Sequence, residues 1–156
     1  SGGIATKLEA AKICMNAGCN MFIGNGKNDN PINNMIKKKL FTHFIPKISS
    51  LDARKKWIIS SISSLSKIYI DHGAALALNE GKSLLAAGIV KIEGKFEKGE
   101  NVLVVDENNK SFARGLSSFS SFEINKIKGK QSNEIEKILG YLSKSEIIHK
   151  DDMVKL

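Results

Sequence analysis

Ser1-Gly2-Gly3-Ile4-Ala5-Thr6-Lys7-Leu8-Glu9-Ala10-Ala11-Lys12 opens the chain, and the reading of this stretch decides how the rest is arranged. Two adjacent glycines let the backbone take positive φ and approach a ligand closely. Thr6 stands three residues before Glu9, the spacing of a capping box, so a helix is expected to begin just after Thr6. It should run from about Lys7 to Ala17 and end at Gly18, with Ile4, Leu8, Ala11 and Met15 near one face. The first amides of such a helix have no acceptors and its dipole is positive there. With Lys7 alongside, the segment is a candidate pocket for phosphate oxygens. It follows neither the G-x-x-x-x-G-K-[ST] nor the G-x-G-x-x-G pattern, and a glycine pair before a capped helix also serves as a plain tight turn. Residue chemistry leaves both readings open.

Charge places any anionic partner near this end. The chain has 156 residues and a net charge of +8. Residues 1–66 carry ten Lys and Arg against three Asp and Glu, whereas residues 67–156 carry fourteen against thirteen. The second part therefore lacks the basic footprint of sequence-independent nucleic-acid binding. Hydrophobic residues make up 42%, enough for a packed core. No apolar run approaches the roughly 18 residues of a membrane span, and no basic-then-apolar leader precedes the loop, so a soluble cytoplasmic protein is expected. Cys14 and Cys19 have no further ligands nearby and read as buried free thiols. His43, His72 and His149 are far apart with no ligand spacing and read as structural.

Beyond the first helix, Cys19 to Ile23 reads as a strand leaving through Gly24-Asn25-Gly26. Helix, strand and glycine turn together have the pattern of an alternating α/β unit, which makes Gly24 to Gly26 a second candidate ligand contact beside the simple turn reading. Asn30-Pro31 caps a helix to about Lys39, and Leu40 to Ile45 should form a strand. A basic helical turn, Arg54-Lys55-Lys56, either reaches phosphates across a subunit contact or, as is more usual for such a turn, faces solvent with Trp57 packed beneath. Five serines between Ser60 and Ser66 compose a linker, giving domains at 1–59 and 67–156.

The second domain has a different texture. Lys67 to Ile70 reads as a strand, and Asp71 caps a helix that ends at Gly81. Glycines at 88, 94 and 99 punctuate short strands, as in a small β-barrel. Val102–Val105 and Ser111–Leu116 should pair across Asp106 to Asn109. Ser121 and Ser132 are expected to cap two short helices, and residues 147–154 to supply a last strand.

Several of these segments, in order, resemble one family. Gly2-Gly3-Ile4-Ala5-Thr6-Lys7-Leu8-Glu9-Ala10-Ala11 is similar to the G-G-[MI]-x-T-K-[LV]-x-A-A segment of the glutamate 5-kinases, members of the amino-acid kinase family. Arg54 to Ile58 resembles their R-K-x-W-I helix. Ser83 to Ile89, Gly94 to Gly99 and Ala113-Arg114-Gly115-Leu116 resemble a PUA domain, with Ala86 where a proline is usual. Ile127 to Tyr141 and Ile147 to Val154 resemble the family's closing segments. The resemblance implies an α/β fragment, the C-terminal part of a three-layer α/β/α kinase fold, followed by a small mainly-β PUA barrel with short helices. It implies ATP and L-glutamate as partners, γ-glutamyl phosphate as product, and a nucleotide site lined by Ser1, Gly2, Gly3, Ile4, Ala5, Thr6 and Lys7, with Lys7 catalytic. The glutamate pocket and the carboxylates that organise Mg²⁺ would precede Ser1, so the segment alone is expected to be inactive. A homo-oligomer built on the kinase part is implied too. An RNA-binding or regulatory PUA module is the alternative.

Overall fold

A computed structural model describes residues 3–27, 29–61, 66–141 and 143–156. The chain divides into two compact units, residues 1–54 and 55–156. Of the linker expected at 60–66, residues 62–65 lie outside the described residues.

In the first unit, α1 (Ile4–Asn16) is followed by β1 (Met21–Gly24), α2 (Pro31–Lys38) and β2 (Phe41–Phe44). Helix α1 ends where glycine allows it to. Gly18 takes φ 72°, its N–H donates to the Met15 carbonyl at 3.2 Å, and the Cys19 N–H donates to that of Cys14 at 2.8 Å. This is the six-to-one and five-to-two pattern of a Schellman turn. A Cβ on Gly18 would lie 2.5 Å from the Ser49 carbonyl carbon, so the turn also needs a bare backbone against the start of the next helix. Cys14 is half-buried and Cys19 exposed, which corrects the expectation of buried thiols, because the turn carries Cys19 out of the helix face.

Strands β1 and β2 pair antiparallel, Met21 with Phe44 and Gly24 with Phe41, and α2 connects them. Among the described residues of this unit only Ala11 is buried, and Ile4, Ile13, Ile32, Ile36 and Leu40 are all more than 60% exposed. Ile4 and Leu8, expected on a core-facing stripe, are exposed. The apolar face exists, but nothing in the described residues covers it.

Helix α3 (Ser50–Ser60) spans the division between the units. Its buried side chain is Ile58, at 0% exposure, whereas Trp57 is 54% exposed, which corrects the sequence reading by one position. The reason lies in the second unit. Asn101 donates from Nδ2 to the Ile58 carbonyl at 2.7 Å, and Arg114 donates from Nη1 to that of Ile59 at 3.2 Å. These bonds satisfy carbonyls that the end of a helix leaves open and fix which face turns inward.

The second unit holds nearly all the core. A five-stranded mixed sheet runs in the order β5 (Ile89–Glu93), β3 (Lys67–Ile70), β6 (Asn101–Val105), β7 (Ser111–Leu116) and β9 (Met153–Lys155), and β4 (Leu84–Leu85) pairs with β8 (Glu146–Ile148). Only β3 and β6 are parallel; β6 and β7 form the expected antiparallel pair. Ile68, Ile70, Val102, Val104, Ala113, Ile147 and Ile148 pack with Leu78 of α4 (His72–Asn79), Ile124 and Ile127 of α5 (Ser121–Ile127) and Ile135 of α6 (Ser132–Leu139). Asp71 caps α4 as expected, its Oδ1 accepting from the Ala74 N–H at 2.7 Å. The caps of α5 and α6 each fall one residue earlier than expected, at Ser120 and Gln131, because from those positions Glu123 and Glu134 reach back to the cap amide at 2.7 and 2.9 Å.

Candidate functional site

Helix α1 begins at Ile4, three residues earlier than expected, with Gly3 as its N-cap in an extended conformation (ψ −173°). Thr6 is therefore the third residue inside the helix, and the Thr6–Glu9 capping box does not form. Ile4 and Ala5 are both compatible with helix, so the boundary falls at Gly3, whose φ is −66° rather than the positive value expected of the glycine pair, a backbone open to any residue.

The consequence for the site is chemical. The amides of Gly3, Ile4, Ala5 and Thr6 head the helix, and among the described residues no side chain accepts from them at the cap. A Cβ on Gly3 would meet nothing within 4 Å among the described residues. Lys7 is exposed and comes four residues after Gly3, which puts it on the same side of the helix. Ser1 and Gly2 lie outside the described residues. The structure thus brings Gly3 to Lys7 into one turn with donors and a cation at its positive end, an arrangement suited to phosphate oxygens.

The second candidate contact is used otherwise. A Cβ on Gly24 would stand 2.7 Å from Met35 Sδ, so the glycine admits the α2 side chain against the strand end. A depression of about 170 Å³ there is lined by Gly24, Asn25, Gly26, Pro31, Ile32 and Met35 and offers no charged group.

In the second unit a groove of about 310 Å³ lies between α4 and the β4 segment, lined among others by Asp71, Ala74, Lys82, Ser83, Leu85 and Gly88. Gly88 is required there, since a Cβ would collide with that of Ala74. The groove has one cation and one carboxylate, and its walls are mostly apolar.

Groups with displaced pKa values are explained by surface partners. Hydrogen bonding to Glu93 raises both Tyr69 and Lys91, and the bond from Lys91 lowers Glu93. The bond from Lys82 lowers Glu80. His43 Nε2 and Asn20 Oδ1 are 2.8 Å apart, and the imidazole stacks on Phe22 with ring centroids 4.1 Å apart. His149 Nδ1 accepts from the Asp151 N–H at 3.2 Å. Among the described residues no group of three or more His, Cys, Asp or Glu could hold a metal ion. No helix of the described residues is long and apolar enough to cross a membrane.

Residues 66–139 match the PUA domain family. Over all 156 residues the chain is 58% identical to the glutamate 5-kinase of Pelagibacter ubique (strain HTCC1062), and over 158 positions 47% identical to that of Thermoanaerobacter sp. (strain X514). It spans 42% of the length of each of these relatives, their C-terminal part. A solved PUA domain from Aeropyrum pernix K1 superposes with a TM-score of 0.42 and 12% identity, over 83% of this chain and 85% of that one.

Proposed function

We propose, from the premise that residues 66–139 are a PUA domain and that the chain is throughout a homologue of the C-terminal part of the glutamate 5-kinases, that it works as part of an enzyme transferring the γ-phosphoryl group of ATP to the side-chain carboxylate of L-glutamate. The observation that carries this reading is the 58% identity over every residue. The product is γ-glutamyl phosphate, the entry compound of proline biosynthesis, and the enzyme works in the cytoplasm as a homo-oligomer.

The reaction brings two anions together, so the protein's task is to position them and to spread the developing charge. In this reading the free amides of Gly3 to Thr6 and the α1 dipole hold phosphate oxygens, and the Lys7 ammonium stabilises the phosphoryl group in transfer. Ser1 and Gly2 complete the loop. In this reading the carboxylates that would hold Mg²⁺, which would neutralise charge on the phosphates, belong to the rest of the enzyme. The exposed apolar face of the first unit supports the reading, since a larger kinase sheet would cover it.

Lys7→Gln in the complete enzyme is expected to lower kcat about 100- to 1000-fold, the range for loss of one preorganised donor at a developing charge. Steady-state kinetics would measure it, and an unchanged kcat removes Lys7 from this role. The segment on its own is expected to release no glutamate-dependent ADP in a coupled assay. RNA binding through the PUA domain is the weaker reading, because residues 67–156 carry fourteen Lys and Arg against thirteen Asp and Glu. A steep salt dependence of tight RNA binding would favour it.

A further inference from the structure

We propose that the second unit binds a compact polyanion of the di- or triphosphate class in a basic cleft between the end of α4 and strand β9. The cleft has a volume of about 330 Å³, and its lining brings together Lys55, Lys82, Lys150 and Lys155 with a single carboxylate, Asp151. These lysines come from α3, the turn after α4, the turn before β9 and β9 itself, and only folding makes them neighbours.

The cations have different surroundings. Lys155 donates from Nζ to the Asn79 carbonyl at 3.0 Å and to Asn79 Oδ1 at 2.9 Å. It thereby offsets the negative end of α4, which would otherwise repel an anion entering here. Lys82 lies 2.6 Å from Glu80. The ammonium groups of Lys55 and Lys150 make no hydrogen bond or ion pair among the described residues, and Lys55 is half-buried. The Lys150 backbone is fixed by its N–H donating to Ser83 Oγ at 3.0 Å. Buried Met153, at 8% exposure, supplies an apolar floor. The result is two uncommitted cations over a low-dielectric surface, with two more beside them.

Size and charge distribution select the ligand. Nucleic acid needs a basic track along its backbone. Residues 67–156 outside the cleft carry eleven Lys and Arg against twelve Asp and Glu, so the rest of that segment adds no excess of positive charge to extend one. The volume is that of a small-molecule site. A ligand with several phosphate groups in a few ångströms matches a positive spot on an otherwise neutral unit.

The inference is independent of phosphoryl transfer at Lys7. Calorimetric titration of inorganic tripolyphosphate into the full chain at low ionic strength tests it. Binding is expected, weakening about fivefold in each of Lys55→Gln and Lys150→Gln, in the range of partly exposed ion pairs, and unchanged in Lys110→Gln, which lies in the β6–β7 turn. Circular dichroism would verify that each variant is folded. No binding, or an equal loss in Lys110→Gln, overturns the proposal. So does a short single-stranded RNA that binds more tightly than tripolyphosphate at the same salt and loses that binding in Lys150→Gln.

Discussion

Glu123 shows how one side chain can serve several partners. Its carboxylate accepts from the Ser120 N–H at 2.7 Å, from Ser120 Oγ at 2.9 Å and from the Tyr141 hydroxyl, closing a capping box on α5 and tying in the chain beyond α6. Desolvation is the largest single influence and raises its pKa. The bonds from Tyr141 and Ser120, with the Lys98 charge, together outweigh it and leave the carboxyl below its ordinary value. A carboxyl whose folded pKa is lowered contributes stability that is complete above the unfolded value, about 4.3, and is lost as pH falls through the folded value. Glu123→Gln is therefore expected to destabilise the second unit by about 1 kcal/mol at neutral pH and to lose less stability on acidification than the parent chain. Thermal melts from neutral pH down to about pH 3 would measure both effects.

At the scale of elements, the Ala113-Arg114-Gly115-Leu116 stretch of β7 joins three neighbours. Arg114 reaches the end of α3, as described above, and Ala113 and Gly115 pair with Lys155 and Met153 of β9. Gly115 is where β8 and the following turn cross over the strand, for a Cβ there would stand 2.6 Å from Ile148 Cγ2 and 2.9 Å from the Asp152 carbonyl oxygen. Gly115→Ala must displace a backbone atom as well as a buried side chain. It is expected to cost about 1–3 kcal/mol, read as a lower urea midpoint with little change in slope. Helix starts teach a related lesson. Ser120-x-x-Glu123 and Thr6-x-x-Glu9 are the same kind of signal, yet only the first marks a boundary. Near the chain start the helix already includes Ile4 and Ala5, so Thr6 lies inside it and cannot cap it, and residue spacing alone does not tell a cap from a residue of the first turn.

For the molecule as a whole, the contrast is between a unit with a core and a unit whose described residues form none. Seventeen buried residues form the cluster of the second unit, and Ala11 is the single buried one among the described residues of the first. Burial of apolar area is the main force opposing chain entropy, so the elements around Ala11 should open far more readily than the sheet. Hydrogen exchange on the isolated chain is expected to show fast exchange in α1, β1, α2 and β2 and protection approaching the global unfolding limit in β6 and β7. Uniform protection across both units would contradict the idea that the first unit is completed by further chain.

Much of this was legible beforehand. The Asp71 cap, the glycine exits at Gly18 and Gly81 and the β6–β7 pair all follow from patterns within a few residues, where sterics and hydrogen bonding act locally; the single last strand expected at 147–154 is instead two, β8 and β9, because the turn at Lys150–Asp152 sends them to different partners, β4 and β7. The resemblances at Gly2 to Ala11 and Ser83 to Ile89 are local in the same sense. Tertiary contacts alone decided that Ile58 rather than Trp57 turns inward, since the partners that choose are Asn101 and Arg114. They also gathered Lys55, Lys82, Lys150 and Lys155 around one cleft, because proximity between residues so far apart along the chain is a product of how the core closes and leaves no trace in the spacing of any one segment.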